Sequence, residues 1–426
     1  MQEISVAHIQ HDFKECITDV EEGKLREDGF FINVDLSAEH IQEYHVDIKA
    51  GKDPEVRMVS DANANDRATL ENYSFKKIKS NLFEAELEGD SKYMFETMKE
   101  DLTRSEKITM EETNWTSIDS ISIPNKKYCL GDSQGNIHIL TENFDLMRTI
   151  KSAHLGEVTV SSFFPSGEVI LSASTDLRIK LWSVNDGLNL RTLVGHTAKI
   201  SATAMIDRGR NIISGSKDGS LRLWECGSGK NIKTFSRKEN TKDGINDIHL
   251  LANCNENGAT NATEENNELE FGTRGKQIIA AHESGVITMH QIYNKNQILQ
   301  LPSRYMSACN SLTATDLNDN YIYGGYDNGI IAQWDIRQAG KCVNEWAINE
   351  GCPINEMFYD NSHMYVSSGN DTSLKFSMNK HNGEFDHEIP TFLCSDDYGV
   401  ANYCRSLRNE SGVVAVGNRG FIGHYY

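Results

Sequence analysis

Short runs in which apolar and polar residues alternate dominate this chain, and the runs recur at a fixed interval. Asn211-Ile-Ile-Ser-Gly-Ser216 and Leu221-Arg-Leu-Trp224 each read as a strand, with Lys217-Asp-Gly-Ser220 as the turn between them. The glycine permits the positive φ that a tight strand turn often requires. Nearly the same phrase stands earlier. Ser172-Ala-Ser-Thr-Asp-Leu-Arg-Ile-Lys-Leu-Trp182 matches Ser214-Gly-Ser-Lys-Asp-Gly-Ser-Leu-Arg-Leu-Trp224, and the tryptophans lie 42 residues apart. Each phrase has an Asp six residues before its Trp and a His 28 residues before it.

This spacing is the signature of a WD repeat, the unit of a β-propeller. Such a unit cannot bury its apolar face alone and must recur around a closed ring. The turn position can be followed through Gly135, Leu177, Gly219, Gly285, Gly329, Thr372 and Gly420, in steps of 42, 42, 66, 44, 43 and 48. The Trp slot then holds Leu140, Trp182, Trp224, His290, Trp334, Ser377 and Tyr425. The pattern predicts an all-β protein: a seven-bladed propeller over 101–426. The long step has a local cause, a polar Asn- and Glu-rich insertion at 253–270 inside blade four.

The C-terminus stops at the third strand of the seventh blade, which would leave a pairing hazard at an open edge. Residues 101–112, chiefly Arg104–Glu112, are expected to supply the missing strand. Residues 1–100 do not fit the repeat. Ile4–Ile9, Phe30–Leu36, His45–Ile48, Phe75–Ile78, Leu82–Glu88 and Tyr93–Met98 read as strands of a small, mostly β N-terminal domain, with Lys52–Asn72 as a polar loop.

The residues that could carry chemistry form a repeated set. His154, Ser172, Asp176 and Trp182 in blade two recur as His196, Ser214, Asp218 and Trp224 in blade three. A Ser, a His and an Asp invite a triad reading. The set recurs blade by blade, and no G-x-S-x-G elbow accompanies it, so it is read as a buried hydrogen-bonded relay and the chain as a non-enzyme. Gly227-Ser-Gly-Lys230 lacks the first glycine and the Ser/Thr of a phosphate loop and reads as an interstrand turn. Nine cysteines are scattered singly and fourteen histidines lack H-E-x-x-H spacing, so no metal and no cofactor is expected.

The formal net charge is −20, and residues 1–100 hold 23 acidic against 12 basic residues. That balance opposes nucleic acid and anionic lipid and suits a basic protein partner. No apolar run approaches the ~18 residues of a membrane span, and MQEISVAHIQHDF has no secretory pattern, so a cytoplasmic and nuclear protein is expected. In this register Ser133, Thr175, Lys217, Glu283, Asp327, Asn370 and Asn418 ring one mouth of the channel. Glu157, Asp243, Asp247, Glu350, Asp396 and Asp397 fall in segments entering blades near the same face. With Glu283, Asp327 and Tyr326 they form the candidate partner-binding rim.

The chain resembles the WD-repeat assembly chaperones of the proteasome regulatory particle in budding yeasts, and is similar to the animal proteasomal ATPase-associated factor. The resemblance is carried by Val6-Ala-His-Ile-Gln-His-Asp-Phe-Lys14, Phe163-Phe-Pro-Ser-Gly-Glu168, Ile206-Asp-Arg-Gly-Arg-Asn211, Asp218-Gly-Ser-Leu-Arg-Leu-Trp-Glu-Cys-Gly227, Leu269-Glu-Phe-Gly-Thr273, Ser284-Gly-Val-Ile-Thr288 and Ile348-Asn-Glu-Gly351. It implies an N-terminal domain on a seven-bladed propeller, monomeric when free. It also implies a non-enzymatic chaperone that binds the C-terminal small domain of one AAA-type ATPase subunit within base assembly intermediates and restrains premature docking on the core particle. The alternative on the same scaffold is a substrate or ubiquitin adaptor.

Overall fold

The computed structural model describes residues 1–37, 40–59, 73–87, 91–102, 113–251, 268–302, 304–315, 320–338, 342–348, 352–360, 362–369, 372–379, 383–385, 390–395, 399–407 and 412–426. Seven four-stranded units form the ring: 115–150, 158–194, 200–236, 245–301, 309–347, 354–394, and 400–425 joined by 100–101. Strands are lettered a to d from the axis outward. The insertion expected at 253–270 lies between strands a and b of blade four; 252–267 fall outside the described residues.

The alternation read from the sequence is the alternation of packing. In blade three, strand b (Asn211–Ser216) is buried throughout. Strand c (Ser220–Glu225) buries Leu221, Leu223 and Trp224. The turn residues Gly135, Leu177, Gly219, Gly285, Gly329 and Gly420 all have positive φ. Blade six is shifted by one residue from the expected register. Ser368 pairs with Thr372, so Thr372 opens strand c, and the Trp slot holds Phe376, opposite Met364, rather than Ser377. The glycine of Ser367-Ser-Gly-Asn-Asp-Thr372 comes before the Asn/Asp pair instead of after it, so the turn letters misplace the frame.

Neighbouring blades interlock at two levels. Small residues on strand b receive the first side chain of the next blade. A Cβ on Gly131, Gly215 or Gly325 would lie 2.5, 2.8 and 2.5 Å from Val158, Ile245 and Ile354 respectively. The second level is polar. Near the start of strand a, a side chain reaches the carbonyl that opens the next blade. The bonds are Thr116 to Val158 O (2.5 Å), Thr159 to Ile200 O (2.7 Å), Ser201 to Ile245 O (2.6 Å), Asn246 to Cys309 O (2.8 Å) and Asn310 to Ile354 O (3.3 Å). Each gives a carbonyl at a blade joint a side-chain donor from the preceding blade.

The N-terminal region is woven into the rim. Its own sheet runs Val6–Ile9, Glu27–Ser37, His40–Lys49 and Glu55–Val59, so a strand lies inside the stretch expected to be a loop from Lys52. A helix, Phe13–Glu21, was not anticipated. It buries Phe13, Cys16, Ile17 and Val20, spaced i, i+3, i+4, i+7. Phe13 packs against Phe30 and Phe83, ring centroids 5.5 and 5.1 Å apart.

Three further pieces extend the propeller. Gln2–Glu3 pairs parallel with strand d of blade five (Cys342–Ala347). Ser91–Thr97 pairs parallel with strand d of blade six (Thr391–Cys394) and carries Leu82–Leu87 and Ser74–Lys79 outside it. Glu100–Asp101 pairs antiparallel with Ile422–Tyr425 and forms the outer edge of blade seven. Flanking bonds from Lys99 N to His424 O and Leu102 N to Ile422 O lengthen that contact. The pairing overlaps the start of the segment expected to close the ring, at Asp101 and Leu102, and begins one residue before it; the part expected to carry most of the strand, Arg104–Glu112, lies outside the described residues. A domain boundary at residue 100 would cut this run.

Candidate functional site

Blades two and three contain the relay. Trp182 Nε1 donates to Ser172 Oγ at 2.8 Å, Ser172 Oγ lies 2.7 Å from His154 Nε2, and His154 Nδ1 lies 3.0 Å from Asp176. Blade three repeats it at 2.8, 2.7 and 2.9 Å through Trp224, Ser214, His196 and Asp218. Asp218 also accepts from the Thr197 and Ser220 backbone N–H groups. Burial pushes the Asp218 carboxyl up, but bonds from His196, Ser220 and Thr197 outweigh it and hold it well below the usual range. Burial holds the His154 imidazole below its ordinary value. A neutral imidazole donating from Nδ1 and accepting at Nε2 satisfies every member. Ser172 and Ser214 have no exposed surface and already accept from tryptophan. Their hydroxyls serve the blade.

Asp218→Ala is therefore expected to lower unfolding free energy by ~1–3 kcal/mol by orphaning buried donors. Urea unfolding checks it, and an unmoved midpoint would remove the relay from the stability of blade three.

The face that carries these turns is built by one bond repeated seven times. The backbone N–H of the first residue past strand b donates to the carbonyl preceding strand a. The pairs are Ser133 to Asn114, Thr175 to Glu157, Lys217 to Lys199, Glu283 to Gly244, Asp327 to Ala308, Gly369 to Pro353 and Asn418 to Gly399. Six of the expected mouth residues stand there. In blade six the position is Gly369 rather than Asn370, which follows from the register shift and itself lies outside the described residues.

The nine candidate rim residues separate. Glu157, Glu283 and Asp327 lie on this face. Glu283 is paired with Lys217 at 2.7 Å and Glu157 with Lys199 at 3.8 Å, while Asp327 accepts from Asn310. The described rim is thus less negative than its letters suggest. Asp243 is buried and held by Arg237 at 2.5 Å and by Ser284. Tyr326 is fully buried, because both faces of its strand (Tyr321–Tyr326) lie against core and its ring packs on Tyr305 with centroids 4.6 Å apart. Asp247 lies in the channel wall. Glu350, Asp396 and Asp397 lie outside the described residues. Two residues on this face were missed. Leu155 and Met306, in the loops entering blades two and five, are 86% and 99% exposed. A sequence offers no letter that tells an outward leucine from a core one, although both stand beside the His position of their repeats.

The central channel encloses about 820 Å³. Asp247 and Glu356 stand at equivalent strand-a positions of blades four and six. Burial pushes the Asp247 carboxyl up to about 6 against bonds from the Leu312 and Ile248 N–H groups. Burial and the nearby Asp247 raise Glu356 well above its ordinary value. A folded-state value above the unfolded one means stability is lost as pH rises from about 4 through 6. Asp247→Asn should therefore gain on the natural chain by on the order of 1–2 kcal/mol between pH 4 and pH 7. Urea titrations at both pH values would show it, and a constant difference would refute it.

Among the described residues no group of three or more His, Cys, Asp or Glu is placed to hold a metal ion. Among them, too, no helix is long and apolar enough to cross a membrane.

The model of the WD domain, G-beta repeat, matches 145–183 and 187–225, the two segments that contain the complete relays. The 26S proteasome regulatory subunit RPN14 of Saccharomyces cerevisiae is 41% identical over 428 residues, spanning 99% of this chain and 98% of that protein. This chain belongs to the RPN14 family. Pre-mRNA-processing factor 17 of Mus musculus and of Homo sapiens is 22% identical over 283 residues, covering 63% of this chain and 36% of each of those proteins. Those likenesses extend over part of the chain only. The RPN14 likeness runs through the N-terminal region as well as the ring, so it covers the strands that seal blades five to seven.

Proposed function

We propose that this chain is a non-enzymatic assembly chaperone of the proteasome regulatory particle base. It holds the C-terminal small domain of one AAA-type ATPase subunit and delays docking on the core particle. The observation that carries the reading is end-to-end likeness to a proteasome regulatory subunit. The mouth described above supports it. Leu155 and Met306 supply apolar contact, and Glu157, Glu283 and Asp327 supply carboxylates around it. Such a face suits a partner surface that is basic and partly apolar, as a surface awaiting its neighbour in a ring would be. An interface of standard size would bury roughly 1,600 Å². In this reading the protein works in cytoplasm and nucleus and is monomeric when free.

Affinity purification of the tagged chain tests it. Free base precursors containing an ATPase subunit are the expected co-purifying species, in amounts that fall as salt is raised. Recovery of ligase subunits would establish the adaptor reading instead, and recovery of mature proteasomes a resident subunit.

A further inference from the structure

The outer rim of the ring is finished unevenly. In blades five and six an extended piece of the N-terminal region lies parallel against strand d, and in blade seven Glu100–Asp101 is itself the outermost strand. Blades one to four end in Leu146–Ile150, Asn189–Val194, Lys230–Ser236 and Asn296–Leu301, with nothing paired outside them among the described residues. Open edges are usually guarded by charge. Blade three carries exposed Lys230, and blade four's edge is dressed by Arg237 and Lys238 bonded to Gln300 and Gln297. Blade two has no such guard. Leu190 and Val194 are 41% and 66% exposed, and Arg191, its one charged residue, turns away to the Gly227 carbonyl at 2.6 Å.

We propose that this edge of blade two is a strand-addition site for an extended segment of another polypeptide, with branched apolar residues at alternate positions and acidic residues at its flanks. The pairing mode is one this chain already uses. Val194 pairs with Arg178 just after the positive-φ residue Leu177, as Ala347 pairs with Ile330 just after Gly329. The Ala347 carbonyl points off the sheet and accepts the Ile4 N–H at 2.9 Å. The Val194 carbonyl occupies the same position, and by strand alternation Thr192 turns its N–H and C=O to the same outward side, where the blade-three turn at Gly229 borders its carbonyl. Outward main-chain groups of this kind are what strand addition uses.

Charge sets the flanks. In a chain of net charge −20, residues 177–194 hold three basic residues against one acidic residue. Arg178 is exposed directly beside Val194. The site lies on the outer rim, apart from the channel mouth, so it does not depend on the proposed function.

The test uses the full chain and a fluorescein-labelled peptide of five alternating Val and Thr residues flanked by pairs of Glu. Saturable anisotropy is expected. Affinity should fall at least ~10-fold with Thr192→Pro, which removes an outward N–H, and with Val194→Lys, which adds charge without touching the blade's own ladder. Hydrogen exchange should slow at 189–194 and not at 230–236. Val194→Lys with an unchanged melting temperature keeps the test valid if the proline variant fails to fold. Absence of saturable binding, binding indifferent to Val194→Lys, or protection elsewhere would overturn the proposal. So would a concentration-dependent dimer abolished by Val194→Lys, since the occupant would then be a second copy.

Discussion

A fragment beginning at Thr113 is expected to lose the cooperative unfolding transition of the full chain. Three losses coincide in it. Blade seven loses Glu100–Asp101 and keeps three strands. Blade six loses the parallel strand Ser91–Thr97, which uncovers Phe392 and leaves Lys375 without Glu96, its partner at 3.1 Å. Blade five loses Gln2–Glu3. One continuous core cluster contains Val6, Phe30, Tyr93 and Phe95 together with Trp346, Ile354, Phe376 and Phe392, so the cut runs through a core rather than between two. Exposing each large side chain costs ~1.5–3 kcal/mol. A few of them equal the whole margin of about 5–15 kcal/mol that holds a domain folded. Calorimetry of the fragment should show no sharp endotherm. A cooperative melt within a few degrees of the full chain would mean that the N-terminal region is an ornament.

The largest functional effect is expected from Leu155→Asp combined with Met306→Asp. At a protein interface, apolar side chains that become fully desolvated carry most of the affinity, whereas rim charges mainly alter encounter rate and salt dependence. If the mouth holds the ATPase small domain as proposed, the pair should weaken that binding at least ~100-fold, chiefly through faster dissociation. Glu283→Lys with Asp327→Lys should cost less, about 10-fold, and should flatten the salt dependence. Glu283 already spends part of its charge on Lys217. Both apolar residues are solvent-exposed in the free protein, so melting temperatures should not move. Surface plasmon resonance at two salt concentrations separates the effects. An unchanged dissociation constant for the apolar pair would move the partner off this face.

Much of this architecture was legible in the letters, and the failures have physical causes. The seven units and the relay in blades two and three were readable because turns and buried polar groups demand particular residue types. Blade six slipped by one residue because its glycine and its Asn/Asp pair are in the wrong order for the repeat. The helix Phe13–Glu21 had its i, i+3, i+4, i+7 pattern in view. It was overlooked because strand signals surround it. The rim suffered most. Asp243 and Tyr326 are polar by letter but belong to the interior. Charge on Glu157 and Glu283 is offset by lysines that come close only once the ring has formed.

The strands that finish the rim join chain segments hundreds of residues apart. Gln2 meets Trp346, Met94 meets Thr391 and Glu100 meets His424. During synthesis the first hundred residues leave the ribosome long before the blades they seal exist. They wait with unpaired edges while blades one to four form from local contacts. Ring closure is then a late, slow event of high contact order. A nascent chain stalled before blade five should therefore be a substrate for general folding helpers, so a protein proposed to chaperone others would itself need an escort at birth.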